Sequence, residues 1–174
     1  FANARDLGSL GVLVPQDPEV FESSIRQNIT MGIDYDPAAV ERACELACLA
    51  PVIARLPDGI DTAITERGLN LSGGQKQRLA LARGMLAARA ASVIMLDEPT
   101  SSVDPKTEGR LYDHLLGEFP DACVVSSLHR LHLLARFDTV VLMAEGRIVD
   151  KGPREAMLAR HPHLRAGSMA LAAG

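Results

Sequence analysis

A run of apolar residues, SVIML at 92–96, ends abruptly at two acidic residues, Asp97 and Glu98. A strand without polar alternation is typical of a parallel sheet covered on both faces, because neither face of such a strand meets water. Similar short runs occur at residues 9–14 (SLGVLV) and 122–126 (ACVVS). Parallel strands need a long crossover between them, usually a helix. The sequence therefore predicts an α/β fold with a parallel sheet.

Helical patterns lie between and after these strands. Residues 36–49 begin with an Asp-Pro pair, which supplies an N-cap acceptor and a preset φ, and apolar residues follow at helical spacing. Residues 138–143 and 147–150 are predicted to pair as a hairpin. The predicted helices span residues 24–29, 36–49, 75–89, 104–117, 131–135 and 153–160. Strands that alternate with helices in this way support the α/β assignment, with helices flanking the sheet.

Composition limits the class of protein. The chain has 174 residues, 47% apolar and 23% charged, which fits one folded domain with a single core. A net charge of −4 argues against nucleic-acid binding through counterion release. The three cysteines form no disulfide or zinc pattern, so we expect buried, reduced thiols. Every apolar run is broken before the roughly 20 residues that a membrane helix needs, and we expect a soluble or peripheral chain.

A serine and two glycines, Ser72, Gly73 and Gly74, precede the predicted helix at 75–89. The first amides of a helix have no intrahelical acceptor, and the helix dipole favours negative charge there. Glycines also lack the Cβ atoms that would hinder a close approach. The sequence therefore indicates a phosphate-binding site at this helix start. The alternative is that Ser72 only caps the helix.

Other polar residues follow the predicted strands. Asp97 and Glu98 end one strand, Gln16 closes the first strand, and His129 comes shortly after the third. The carboxyl ends of parallel strands share one edge of a sheet, where open α/β sheets bind ligands. Asp97 is suited to hold Mg²⁺ through water, and Glu98 to polarise a water for attack. Each residue alone is also common in ordinary turns or on polar surfaces.

Five motifs, in their order and spacing, resemble the nucleotide-binding domain of ATP-binding cassette (ABC) transporters. They are VPQDPEVF at 14–21 (Q-loop), LSGGQ at 71–75 (signature motif), VIMLDEPT at 93–100 (Walker B), SSVD at 101–104 (D-loop) and LHRL at 128–131 (switch-histidine loop). The resemblance covers nearly the whole chain, down to EGRIVDKG at 145–152. TERGLNLSGGQ at 65–75 and LPDGIDT at 56–62 are most similar to the exporter branch of the family.

This resemblance implies that two cassettes bind ATP between them, head to tail. Ser72, Gly73 and Gly74 would bind the γ-phosphate of an ATP held by the opposing subunit. Gln75 would belong to the same nucleotide-binding set and support the signature helix. Asp104 would connect the two nucleotide sites, although an Asp-Pro pair is also a good helix start. The site would therefore be split between two chains.

A catalytic set and Mg²⁺ are also implied by the resemblance. Asp97 would hold magnesium through water, and Glu98 would be the catalytic carboxylate. Gln16 would contact the ion and the attacking water, and His129 would contact the γ-phosphate. Arg78 would support the signature helix. The other basic residues of that helix, which we expect on a solvated face, are Lys76, Arg83 and Arg89.

The implied function is ATP hydrolysis that powers transport by an exporter, with ATP and Mg²⁺ as cofactors. The partners would be a second nucleotide-binding domain, identical or different, and a transmembrane domain fused upstream, on the cytoplasmic side of the plasma (inner) membrane. Candidates for the surface that docks this domain are Glu22, Arg26 and Asn28. The alternative is a soluble ABC ATPase of the translation or DNA-repair type. A binding-only cassette is disfavoured because Glu98 and His129 are both present.

One expected motif is missing from the sequence. No G-x-x-x-x-G-K-[ST] occurs, so the Walker A loop and lysine that cradle the β- and γ-phosphates are absent. We expect the C-terminal part of one nucleotide-binding domain, with a strand missing beside the Walker B strand. These residues alone should bind Mg-ATP poorly and tend to aggregate. The expected divisions are a helical signature subdomain at about 17–90, an α/β core at 1–16 and 91–160, and a tail at 161–174.

Overall fold

A computed structural model of the chain describes residues 10–65 and 70–165. The first residue of the predicted strand at 9–14, and the predicted tail beyond residue 165, lie outside the described residues. The chain divides into two compact units, with the boundary between Ser127 and Leu128. Within the described residues, no helix is both long enough and apolar enough to cross a lipid bilayer.

The first unit contains a three-stranded parallel sheet. Its strands are β1 (Gly11–Val14), β2 (Val93–Leu96) and β3 (Cys123–Ser126), in the order β1-β2-β3. The strands are in register, with Val14 opposite Leu96 and Leu96 opposite Ser126. The predicted α/β class with a parallel sheet is confirmed.

The position of β2 corrects one expectation. β2 has β1 on one side and β3 on the other. No further strand can therefore lie beside β2, where the sequence analysis expected a missing one. β2 consists of large apolar residues only, and the centre of a sheet is the position that shields such a strand best. Another strand could pair only along the outer edge of β1 or β3.

Four α-helices described in the first unit begin and end close to their predicted positions, and a short one at Ala50–Ile53 has no predicted counterpart. They are α1 (Ile25–Thr30), α2 (Pro37–Leu46), α3 (Ala50–Ile53), α4 (Gly73–Ala87) and α5 (Pro105–Glu118). Both Asp-Pro pairs start helices as predicted, because each aspartate side chain accepts a hydrogen bond from an amide of the first turn. Helix α2 ends at Leu46 rather than at residue 49. The reason is Cys48, whose φ of 51° lies in the left-handed region, where a right-handed helix cannot continue.

Helices α4 and α5 cover one face of the sheet. Gly84 of α4 lies so close to β1 that a Cβ atom there would stand 2.5 Å from Val14 Cγ2. Leu96, which lies opposite Val14, is buried. On the same face, the hydroxyl groups of Tyr112 in α5 and Ser126 in β3 are hydrogen-bonded at 2.8 Å. A layer of helices therefore shields this face from water.

The opposite face of the sheet carries exposed apolar side chains. Leu13, Met95 and Val125 stand side by side in register and are 60%, 43% and 55% exposed. Cys123 on this face is exposed as well, so the expectation of buried cysteines is wrong for Cys123. The other two cysteines are buried, and burial raises the pKa of the Cys44 thiol to about 11. An apolar face of this kind favours association in water, which gives the expected aggregation a physical basis.

The second unit is built around an antiparallel hairpin. Its strands, β4 (Thr139–Ala144) and β5 (Arg147–Pro153), are joined by Glu145 and Gly146, whose φ angles of 48° and 72° are both positive, as a type I′ turn requires. Helix α6 (Arg154–Arg160) follows the hairpin. Short 3-10 helices lie at Leu131–Arg136 and Pro162–Arg165. Among the described residues of this unit, Leu134, Val140, Met157 and Leu164 form a buried apolar cluster.

Asp150 ties the hairpin of the second unit to the end of α6. Its carboxylate accepts a hydrogen bond from Arg160 Nε at 2.8 Å and contacts His161 Nε2 at 2.7 Å. Arg160 and, to a lesser extent, His161 hold the pKa of Asp150 well below its usual range. The carboxylate therefore remains charged under all ordinary conditions and keeps this contact.

Asn28 in α1 is 0% exposed, although the sequence analysis placed it among the candidates for a docking surface. Its carboxamide oxygen accepts from the Phe21 amide at 2.8 Å. Its nitrogen donates to the Phe21 carbonyl at 2.9 Å and to Ser23 Oγ at 2.8 Å. Asn28 therefore holds the preceding loop onto α1, and its buried side chain cannot belong to a docking surface.

Arg83 in α4 also departs from its expected place on a solvated face. Its guanidinium donates to the carbonyls of Asn28 at 2.8 Å and Glu19 at 3.1 Å, and lies 5.6 Å from the centroid of the Phe21 ring. Burial lowers the pKa of Arg83. The side chain therefore links α4 to α1 and to the loop before it, whereas Arg89 is exposed as expected.

Replacing Asn28 by Ala should lower the free energy of unfolding by about 1–3 kcal/mol, because the Phe21 and Ser23 groups lose a buried hydrogen-bond partner. The matched control Glu22→Ala, at an exposed position of the same segment, should change it by less than about 0.5 kcal/mol. Thermal unfolding of both variants measures the difference. Equal stability of the two variants would contradict the structural role given to Asn28.

Candidate functional site

Backbone pairing of the sheet continues one residue beyond the strands at their carboxyl ends. The Asp97 amide donates to the Val14 carbonyl at 2.9 Å, and the Ser127 amide donates to the Leu96 carbonyl at 2.9 Å. The loops that leave β1, β2 and β3 therefore start from one edge. The polar residues at this edge are Gln16, Asp97, Glu98 and Ser127.

Gln16 and Glu98 are in direct contact, although 82 residues separate them in the chain. Gln16 Nε2 donates a hydrogen bond to Glu98 Oε2 at 3.2 Å. Asp97 and Gln16 are exposed, and Glu98 is half-buried. The edge thus presents a carboxylate oriented by an amide, next to a second carboxylate that solvent can reach.

Ser127 also belongs to this group, although it is not among the site residues predicted from the sequence. Its hydroxyl donates to Asp97 Oδ1 at 2.9 Å and accepts from the Glu98 amide at 2.9 Å. One hydroxyl therefore orients both acidic residues. The sequence feature that could have identified Ser127 is its position directly after the run at 122–126. Ser127 follows β3 just as Asp97 follows β2.

Glu98 adopts a left-handed backbone conformation, with a φ of 42°. Such a conformation costs a residue other than glycine about 1–3 kcal/mol and persists only where surrounding contacts hold it. The contacts here are the Ser127 hydroxyl on the Glu98 amide and Gln16 on the carboxylate. The turn after β2 is therefore a strained but well-fixed segment, which is typical of functional sites.

The start of α4 differs from its predicted position. Ser72 is the N-cap and the helix begins at Gly73, so both glycines lie inside the first turn instead of before it. Ser72 Oγ accepts from the Gln75 amide at 3.3 Å, and the Gln75 side chain accepts from the Ser72 amide at 2.7 Å. The amides of Gly73 and Gly74 have no acceptor within the helix. In the cap the Ser72 hydroxyl accepts a hydrogen bond from the Gln75 amide, and a hydroxyl that accepts can also donate its proton to an anion.

Packing gives a second reason why glycine occupies positions 73 and 74, and the sequence did not indicate it. A Cβ atom at Gly74 would stand 2.6 Å from the carbonyl oxygen of Ser102, and one at Gly73 would stand 3.2 Å from Ser102 Oγ. The loop after β2 therefore lies against the first turn of α4. Gly74 is required by this packing, whatever binds at the helix end.

Arg78 joins α4 to the end of α2. Its guanidinium donates to the Gly74 carbonyl at 3.2 Å and to the Cys48 carbonyl at 3.0 Å. Both contacts involve main-chain oxygens, so Arg78 supports the backbone of the first turn of α4. Lys76 in the same helix is half-buried.

Asp104 and His129 are the remaining predicted site residues. Asp104 caps α5, where Oδ1 accepts from the Thr107 amide at 2.9 Å, and this hydrogen bond lowers the pKa of the carboxyl. His129 is exposed and lies in a bend of the second unit. The predicted closeness of His129 to Glu98 stays a prediction.

Comparisons with known proteins agree on one family. A family model described as ABC transporter matches residues 3–101. The ABC-type transporter atr1 of Mycosarcoma maydis is 40% identical over 149 residues, which are 82% of this chain and 11% of that protein. An ATM1-type heavy metal exporter of Novosphingobium aromaticivorans is 38% identical over 153 residues, which are 87% of this chain and 25% of that protein.

The fold has a match among solved structures. A bacterial Atm1-family ABC exporter with ATP bound has a TM-score of 0.85 to this chain at 34% identity. The match covers 98% of this chain and 30% of the exporter chain. The chain therefore spans less than a third of the length of each relative described.

Gly74→Ala should cost about 1–3 kcal/mol of stability, because its Cβ would overlap the Ser102 carbonyl. Ser102→Gly should not relieve this, since the contact is with main chain. Gly73→Ala is the matched control: its Cβ would meet only the Ser102 side chain, so adding Ser102→Gly should restore stability. Thermal unfolding of the single and double variants tests this pattern. Rescue of Gly74→Ala by Ser102→Gly would contradict it.

Proposed function

Because the chain belongs to the ABC transporter family, we propose that it forms part of the ATP-hydrolysing domain of an exporter. The relatives described above are named as transporters or exporters, which favours this proposal over a soluble cassette of the translation or DNA-repair type. They are several times longer than the matched part. A transmembrane domain would be fused to this one in the same polypeptide, which would hold it at the cytoplasmic side of the plasma membrane.

The observation that carries the proposal is the contact between Gln16 and Glu98 at the carboxyl edge of the sheet. This contact orients the carboxylate while the amide oxygen of Gln16 can still accept a hydrogen bond from water. Glu98 would activate or orient the water that attacks the γ-phosphate, and Gln16 would hold that water in line. The proposed catalytic residues are therefore Glu98 and Gln16, with His129 as a third.

Asp97 and Gln16 have the chemistry of a magnesium site. Mg²⁺ takes oxygen ligands and usually binds through one or two carboxylates, several waters and the substrate phosphates. Within the described residues, no group of three or more His, Cys, Asp or Glu side chains converges to hold a metal. The bound ion would neutralise negative charge that develops on the phosphate oxygens. Ser127 would keep the Asp97 carboxylate in place through its bond to Oδ1.

The first turn of α4 would bind the γ-phosphate of an ATP held by a second cassette. Ser72 and Gly73 are exposed, and they offer a hydroxyl and a main-chain amide at the positive end of a 15-residue helix. Gly74 would supply another amide, and Gln75 would hold the Ser72 backbone through the cap. Two cassettes, identical or different, would therefore complete each site. Release of the γ-phosphate would remove the contact that favours the closed dimer.

Asp104 and His129 would act at different contacts in this cycle. Asp104 would contact the opposing cassette while it caps α5, and His129 would contact the γ-phosphate and respond to its loss. Residues 17–90 would form the helical signature subdomain, and residues 1–16 and 91–160 the α/β core. Glu22, which is exposed, and Arg26, which pairs with Asp61 at 2.7 Å, remain candidates for the surface that docks the transmembrane domain.

Glu98→Gln should lower kcat for ATP hydrolysis about 10²- to 10⁴-fold with little change in KM, because it removes the base but keeps the shape of the side chain. Steady-state phosphate release by the complete protein that contains this chain measures both constants. Chelation of Mg²⁺ should abolish the wild-type activity, and added Mg²⁺ should restore it.

Glu145→Gln, at an exposed turn of the second unit, is the control for loss of a carboxylate and should keep the wild-type rate. A normal rate in Glu98→Gln would remove Glu98 from the reaction. Absence of Mg²⁺-dependent hydrolysis in the wild type would remove the ATPase assignment itself.

Ser127→Ala should lower kcat about tenfold, since hydrogen bonds to charged groups contribute about 1.5–3 kcal/mol and this hydroxyl orients Asp97 and Glu98. Its matched control is Ser126→Ala, because the neighbouring hydroxyl bonds to the Tyr112 hydroxyl and to the Ser127 carbonyl and contacts neither carboxylate. The same hydrolysis assay compares the two. If both variants lost activity equally, Ser127 would have no special role at the site.

A further inference from the structure

Gln77 in α4 is a buried polar residue that the proposed reaction does not use. Its side chain is 5% exposed. Nε2 donates to Ser101 Oγ at 2.6 Å and, more weakly, to the Gln16 carbonyl at 3.4 Å. Oε1 accepts from the Ser102 amide at 2.9 Å. One carboxamide thus joins α4 to the loop after β1 and to the loop after β2, whose contacted residues lie 24 to 61 positions from Gln77 in the chain.

The contacts of Gln77 require a side chain that both donates and accepts. The Ser102 amide can only donate and the Gln16 carbonyl can only accept, so neither a carboxylate nor an ammonium group could serve both. A carboxamide does, and it carries no charge into the interior. A glutamine at position 77 can therefore make all of these hydrogen bonds without burying a charge.

Asn28 shows what a purely local buried amide looks like in the same unit. Its carboxamide bonds only to residues that lie four to seven positions away in the chain. Gln77, in contrast, connects α4 to the loops after β1 and β2. A local structural role explains the hydrogen bonds of Asn28. It does not explain why Gln77 bonds to residues 24 to 61 positions away in the chain.

Each segment that Gln77 contacts leads directly to a residue of the proposed site. The Gln16 side chain donates to Glu98, and Ser102 packs against Gly73 and Gly74. Gln77 itself lies five residues after Ser72 on the same helix, a rise of about 7.5 Å. Gln77 therefore links the start of α4, the proposed phosphate-binding end, to both loops of the proposed site.

We propose that Gln77 is a positioning residue that couples the start of α4 to the catalytic loops at Gln16 and Glu98. This inference rests on the proposed function. When the opposing ATP engages Ser72, any shift of α4 would move the Gln16 backbone and the Ser101-Ser102 segment with it. Binding at one nucleotide would thereby adjust the carboxylate that acts on the other.

The test is Gln77→Met, which keeps the length of the side chain and removes its hydrogen bonds. In the complete protein, kcat for ATP hydrolysis should fall about tenfold while KM for ATP changes less than about twofold, because transition-state positioning is lost and nucleotide binding is not. Steady-state phosphate release gives both constants. Thermal unfolding of the same samples gives their stability.

Thr62→Val is the matched control, because it also removes a buried polar group of the first unit, a hydroxyl that accepts from the Asp58 amide at 3.2 Å, and Thr62 lies in neither the Gln16 loop nor the Ser101-Ser102 segment. It should lower the midpoint of thermal unfolding and leave kcat per folded protein unchanged. Ser101→Ala combined with Gln77→Met should lower kcat no further than Gln77→Met alone, within about twofold, since both remove the same link.

The outcomes separate the two proposals. If Gln77→Met lost stability and kept kcat, as Thr62→Val should, Gln77 would be structural only and the inference would be overturned, with the ATPase assignment intact. A multiplicative effect of Ser101→Ala on Gln77→Met would also overturn it. A wild-type protein without ATP hydrolysis would overturn the proposed function and this inference with it.

Discussion

Alignment of three parallel strands at their carboxyl ends is the constraint on which the site depends. Main-chain hydrogen bonds from Asp97 to Val14 and from Ser127 to Leu96 carry the pairing one residue past the strands. They bring Gln16 to Glu98 across 82 residues of chain. Because main-chain hydrogen bonds align the loops, the side chains of Gln16, Asp97 and Glu98 are available for binding and catalysis. The apolar face against α4 keeps the strands in this register, since a slip would turn Val14 and Leu96 to the open side.

A second constraint is the close contact between the loop after β2 and the start of α4. Gly74 allows the Ser102 carbonyl to approach, and Gln77 binds the same loop from within the helix. At its other end, the Thr100 hydroxyl donates to the buried Glu108 carboxylate at 2.6 Å. A loop held at several points can sustain the left-handed conformation of Glu98. Phosphoryl transfer depends chiefly on positioning, so this rigidity is the property that the proposed reaction needs.

Local features were predictable because they depend on residues a few positions apart. The apolar runs became strands, the Asp-Pro pairs started helices, and Ser72 capped α4. The errors that concern Cys123, Arg83 and the position of β2 have a common physical cause, which is that they depend on contacts between distant segments. Cys123 is exposed because it faces the open side of the sheet, and Arg83 is half-buried because α1 lies against α4. The central position of β2 and the role of Ser127 could be seen only once the strands were paired.

The sequence by itself determined the α/β class, the family resemblance, and which residue types lie after each strand and at the start of α4. These follow from local patterns of apolarity, capping and glycine placement, which act over one turn or one strand. Only the tertiary structure decided that Gln16 contacts Glu98, that Gly74 serves the packing of Ser102, and that Gln77 joins three segments. Such contacts depend on strand order and helix packing, which are set by burial of the whole unit and are not encoded in any single stretch of the chain.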